Sequence, residues 1–199
     1  MIHVYNPPVE VTFVSTGSED GWLRESSENS DIGGSRSSSG TNGSALRVGD
    51  SQGDRQYKSV VSFDTSSIPE GATILSATLR LRRGGLSGTN PFGLLGSCLV
   101  DIQSNGFSGN VALENSDFEA AAAAVGAASM SDAPANLDWS EGTLNAAGLV
   151  AIDTAGSTQM RVYFSLDDND DGGNDYMGFY SGSTGTADRR PQLVITYRE

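Results

Sequence analysis

Histidine, cysteine and lysine each occur once in the 199 residues, as His3, Cys98 and Lys58. One cysteine excludes an intrachain disulfide, and the apolar neighbours Leu99 and Val100 mark Cys98 as a small buried hydrophobe, not a reactive thiol. One histidine removes most zinc sites and argues against a Ser-His-Asp or Cys-His triad. No apolar run is long enough to cross a bilayer, so membrane insertion is not expected. Positive charge is scarce as well: twelve Lys and Arg face twenty-five Asp and Glu, a formal net charge of −13. That balance repels phosphate backbones and anionic lipid surfaces, so nucleic acid is not an expected partner. It suits hard cations such as Ca²⁺. The polar stretch after Met1 does not read as a signal peptide, and the expectation is one module, residues 1–199, from a longer exported protein that acts outside the cell or on its surface beside neighbouring domains.

What the chain has instead is glycine, serine and short alternating segments. The clearest run from Tyr57 to Arg83. Val61 and Phe63 alternate with Ser62; Ala77, Leu79 and Leu81 alternate with Thr78, Arg80 and Arg82. Period two means a strand with one buried and one wet face. Between them Ser66, Ser67, Pro69 and Gly71 supply a turn. Further strands are expected at 9–14, 21–24, 45–48, 98–102, 159–166, 176–180 and 192–197. In the segment 159–166, Met160, Val162, Phe164 and Leu166 are expected inside. Loops are expected over 26–44 and 84–96. The one good helix is expected over 116–125, with Ser116 as N-cap, Glu119 completing a capping box, an alanine run, and Phe118 anchoring it. Residues 144–152 read equally as a strand or a turn of helix, and Trp139 reads as a plug over one end of the core. Nine or ten strands and one short helix, without βα alternation, predict an all-β chain: an antiparallel β-sandwich of jelly-roll type.

Three constellations carry possible chemistry. If the apolar residues above point inward, then Arg47, Lys58, Arg80, Arg82 and Arg161 point outward, with Tyr163 beside Arg161. Guanidinium forks suit carboxylates and aromatic faces suit sugar rings, so this basic stripe reads either as a groove for an acidic sugar polymer or as cations paired with carboxylates on neighbouring strands. Second, the run DDNDDGGND (167–175) offers Asp167, Asp168, Asp170, Asp171 and Asp175 as oxygen ligands for a structural Ca²⁺, with Glu19 and Asp20 as lesser contributors. Its glycines are misplaced for an EF-hand and the terminal Glu is missing; the alternative is a solvated hairpin loop. Third, Trp22, Trp139, Tyr57, Tyr176 and Tyr180 offer rings for stacking, or else serve the core. No pair of carboxylates stands out as a glycosidase couple and no nucleophile motif is present, so the chain is not expected to be an enzyme.

The motif set ALRVGD (45–50), YKSVVSFDTSSIP (57–69), GATILSATLRL (71–81), SDF with its alanine run (116–124), TQMRVYFSLDDND (158–170) and RPQLVITY (190–197) resembles the DNRLRE-type domains of secreted and cell-surface proteins. The likeness runs from about Val11 to Tyr197. It implies a jelly-roll sandwich appended to other extracellular domains, some relatives being polysaccharide-binding and others without known ligand. Two functions are therefore expected of the chain: a non-catalytic carbohydrate-binding module recognising acidic polysaccharide, or a structural surface module (stalk, sheath, filament or adhesin domain) that self-assembles through protein–protein contacts.

Overall fold

The computed structural model describes residues 6–199; the sole histidine, His3, lies outside the described residues. The strands are β1 (Val9–Val14), β2 (Gly21–Glu25), β3 (Gly33–Ser38), β4 (Leu46–Ser51), β5 (Arg55–Asp64), β6 (Thr73–Ser87), β7 (Cys98–Ser104), β8 (Ala124–Ser129), β9 (Trp139–Thr143), β10 (Ser157–Phe164), β11 (Asp175–Phe179) and β12 (Gln192–Arg198), with one short helix, α1 (Ala146–Val150). Their pairings are antiparallel. The long strand β6 belongs to both halves of the sandwich. Its first part pairs with β12 and β9, its last residues with β11. On one side β1, β12, β6 and β9 lie in order; on the other β8, β7, β10 and β5 do, with β2 and β4 both paired to β5. The fold is an all-β antiparallel sandwich.

The core follows the alternation read from sequence. Val61, Phe63, Leu79 and Leu81 are fully buried in one cluster with Met160, Val162, Leu193 and Ile195. Cys98 is buried there too, and the loss of water drives its thiol pKa far up, which leaves it inert. A second, smaller cluster of Leu23, Val60, Phe107, Leu113 and Phe118 lies against the far side of β5, where the segment 106–123 covers the sheet.

Several expectations change. The helix over 116–125 does not form. Only Asn115–Phe118 makes a 3₁₀ turn, capped by Glu114 with Asp117 rather than by Ser116, and the alanines continue into β8. Alanine brings propensity but almost no apolar area, and an isolated ten-residue helix is marginal. Pairing of Val100 with Ala128 and Ile102 with Ala124 gives the segment a ladder instead. Phe118 does anchor it, fully buried. The 26–44 loop contains β3, a polar strand paired with β2. It lacks an apolar face because almost none of it is buried, so no alternation marked it. The 84–96 loop begins with the end of β6. There Gly84 packs against Gly43, where an added Cβ would sit 2.2 Å from the Gly43 Cα, so two glycines that read as loop mark a close backbone approach. Residues 144–152 resolve to helix: Asn145 accepts from the Gly148 N–H as N-cap at the start of α1. Leu166 falls just past β10 and is exposed.

Two buried carboxylates sit in this frame. Asp20, fully buried, accepts from the Ser15 hydroxyl (2.6 Å), the Ser62 N–H (3.1 Å) and the Gly182 N–H (2.7 Å), so it ties three distant segments together. Burial raises its pKa to about 6 despite these donors, and burial likewise raises that of Asp50 to about 6. Both groups hold a proton more tightly folded than unfolded. Between their unfolded value near 4 and about 6 the folded state therefore binds more protons, and stability rises as pH falls through that window. The melting temperature is expected to be higher at pH 5 than at pH 7.5. A flat or falling trend by calorimetry contradicts the assignment.

Candidate functional site

The six predicted ligand residues do not form one stripe. The sandwich divides them into three groups with different surroundings.

Arg80 and Arg82 lie on the outer face of the β12–β6–β9 side. Register sets Arg80 between Gln192 and Glu141, and Arg82 beside Trp139. Arg80 donates from Nε to Glu141 (2.7 Å) and from Nη1 to Gln192 Oε1 (3.1 Å). Both guanidinium carbons lie 4.6 Å from the Trp139 ring centroid. Trp139 is thus a partly exposed ring flanked by two cations, and not the expected core plug. Arg82 forms no ion pair among the described residues, and its Nε is buried without an acceptor. A cation held over an indole face without a counter-ion is one that a carboxylate can pair with.

Arg47 lies elsewhere, among aromatic rings. Its guanidinium carbon is 5.0 Å from the Trp22 centroid, 5.4 Å from Tyr57 and 5.2 Å from Tyr176. Nη1 donates to the Tyr57 hydroxyl (3.1 Å) and Nε to the Ser44 carbonyl (3.4 Å). The rings meet edge to face, Trp22 with Tyr57 at 5.2 Å and Tyr57 with Tyr176 at 5.4 Å.

Arg161, Lys58 and Tyr163 do point away from the main core, but the segment 106–123 covers Arg161 and touches Lys58 through Phe118. Arg161 is buried and pairs with buried Asp101 at 2.6 Å. Its Nη1 donates to the carbonyls of Asp117 (2.7 Å), Phe118 (3.2 Å) and Ala120 (2.9 Å). Asp101 also accepts from the Tyr163 hydroxyl (3.1 Å) and the Gly126 N–H (3.0 Å). Burial, then Asp101, pushes the Tyr163 hydroxyl up to about 12. Lys58 donates to the Phe118 carbonyl (3.2 Å) with its ammonium 3.9 Å from the Phe118 centroid. Burial, then the Arg161 charge, lowers its pKa to about 8. Lys58 and Tyr163 also line a cavity of about 260 Å³ with Asp31, Gln56 and Asp167. For this group the internal pairing read as the alternative to a ligand face describes Arg161. Asp101 was missed as its counter-ion, although it occupies the alternating position of CLVDI that register sets against Arg161.

The acidic run forms the loop between β10 and β11. Asp168 accepts from the Asp170 N–H (3.0 Å), Asp171 from the Gly173 N–H (2.6 Å), and Asp54 from the Gly172 N–H (2.9 Å). Asp175 is buried; it accepts from the Thr89 N–H and from Asn169 Nδ2 (3.0 Å), and its own N–H donates to Asp50 (2.8 Å). Asp170 is exposed, and Asp167 is turned to the Lys58 cavity. Among the described residues no three His, Cys, Asp or Glu side chains are grouped so as to hold a metal ion. Asp168 and Asp171 each spend a carboxylate oxygen on the loop's own amides. Asp50, which sequence reading missed, is fully buried with Oδ2 unpartnered. Glu19 and Asp20 are not part of this loop, Asp20 being committed as above. Of the remaining aromatics, Tyr180 accepts from Arg189 Nη1 at 3.2 Å.

No protein-family model and no curated protein matches the chain. Among the described residues no helix is long and apolar enough to cross a membrane.

Proposed function

We propose that the chain is a non-catalytic carbohydrate-binding module that takes acidic polysaccharide, acting outside the cell as part of a longer exported protein. The observation that carries this reading is Trp139 flanked by Arg80 and Arg82. The ring offers a stacking face, and Arg82, which forms no ion pair among the described residues, offers a charge beside it. The neighbours across this face by register, Gln192 and Glu141, supply further polar groups for ring hydroxyls. The open face suits a chain running over the sheet better than a small molecule in a pocket. The resemblance to DNRLRE-type domains points the same way and stands as part of the proposal.

Titration of the protein with polygalacturonate or alginate at low salt, with a neutral β-glucan as control, tests the reading. Saturable binding of the uronate polymers alone, weakening as salt rises, is expected. Absence of binding to every polymer by a folded sample overturns it; if that sample sediments as long assemblies, a self-associating surface module takes its place.

A structural Ca²⁺ at the loop 167–175 is a separate proposal. Its support is the buried, unpartnered Oδ2 of Asp50, which is joined to that loop through the Asp175 N–H. The loop would have to turn further carboxylates inward to complete the coordination. Millimolar Ca²⁺ is expected to raise the melting temperature by mass action, and an unchanged melting curve rules the site out.

A further inference from the structure

We infer that the Trp22–Arg47–Tyr176 cluster is a second, separate docking point for the same acidic polymer, so that one module holds two stretches of polysaccharide; this rests on the function proposed above. Each of the two tryptophans in the chain is partly exposed, and each carries arginine against its ring. The second cluster is built from four strands: Trp22 from β2, Arg47 from β4, Tyr57 from β5 and Tyr176 from β11. Gly49 makes their meeting possible. It stands in register with both Tyr57 and Tyr176, at φ +136°, where an added Cβ would lie 2.1 Å from the Asp175 carbonyl. Tyr57 is buried and fixes Arg47 through its hydroxyl, while Trp22 and Tyr176 keep part of their rings in solvent. The bonds to Tyr57 and Ser44 use Nη1 and Nε, leaving Nη2 for a ligand. Arg24, the register partner of Tyr57, adds a second cation whose Nε is buried without an acceptor.

The two clusters share no residue. Tyr176 stands in register with Ser87 and Trp139 with Arg82, and those two β6 positions lie about 17 Å apart along the strand. A short oligouronate therefore engages one cluster or the other, whereas a long polymer is cross-linked. Two linked weak contacts hold a polymer far more firmly than either alone.

The test is calorimetric titration with a trigalacturonate of the wild type, Trp22→Ala, Trp139→Ala and the double variant. The inference predicts two ligands per protein for the wild type, one for each single variant and none for the double variant. If Trp22→Ala lowers the melting temperature, Tyr176→Ala probes the same cluster from its exposed side and is likewise expected to leave one. One ligand per protein, lost with Trp139→Ala and unaffected by Trp22→Ala and Tyr176→Ala, overturns the second site and leaves the proposed function standing. No binding by the folded wild type overturns both.

Discussion

Replacing Arg161 with alanine is expected to cost about 3–5 kcal/mol of folding free energy, the range measured when one partner of a buried ion pair is removed. The substitution strips Asp101, itself 2 % exposed, of its counter-ion, and it orphans the backbone carbonyls of Asp117 and Ala120 while Phe118 keeps only its bond from Lys58. Those carbonyls belong to the segment that closes the smaller core over Leu23, Val60 and Phe107. Arg161 is therefore the fastener of a cover, and the ring of Phe107, 4.7 Å from its guanidinium carbon, packs beneath it. In a domain of this size the loss corresponds to a fall of roughly 6–20 °C in melting temperature. Arg161→Lys, which keeps the charge but loses the fork, is expected to fall between wild type and alanine. If Arg161→Ala melts within about 2 °C of wild type, the network is not the fastener described.

Much of the fold was legible because its strands bury one face only. Val61 with Phe63 and Leu79 with Leu81 carry period two, and each is core. β3, β8 and β9 were not legible, for different physical reasons. β3 buries almost nothing, β8 buries alanines whose small side chains read as helix, and β9 mixes Trp139 with Ser140, Glu141 and Gly142. The site was legible residue by residue but not as an arrangement. Outward phase correctly set Arg80 and Arg82 opposite Leu79 and Leu81. The same phase set Arg161 opposite Met160 and Val162, yet Arg161 is buried, because phase does not reveal that another segment lies over that face. Which strands are neighbours is a long-range fact, and local alternation does not contain it. Two arginines that look alike in sequence thus have opposite environments: Arg82 lies over an indole ring with no ion pair among the described residues, while Arg161 is held by one carboxylate and three carbonyls.

The paired substitution Arg80→Ala with Arg82→Ala is expected to separate affinity from stability. The Arg80–Glu141 pair is well solvated, with 30 % and 46 % side-chain exposure, and an exposed ion pair contributes about 0–1 kcal/mol. Arg82 forms no ion pair among the described residues. Stability should therefore change little, by a few degrees at most in melting temperature. Toward a uronate polymer the two guanidinium groups act as charge-assisted donors, each worth about 1.5–3 kcal/mol, so their joint loss weakens binding at least ~100-fold. The salt dependence should flatten with it, because the screened charges are gone.

That double variant, titrated with polygalacturonate beside the wild type and melted under the same buffer, is the most direct measurement of whether this face binds acidic polysaccharide. Binding lost about 100-fold or more, with the melting temperature held to within a few degrees, is the predicted result. Affinity unchanged while the melting temperature drops would show that Arg80 and Arg82 serve only to stabilise the acidic fold, and would contradict it.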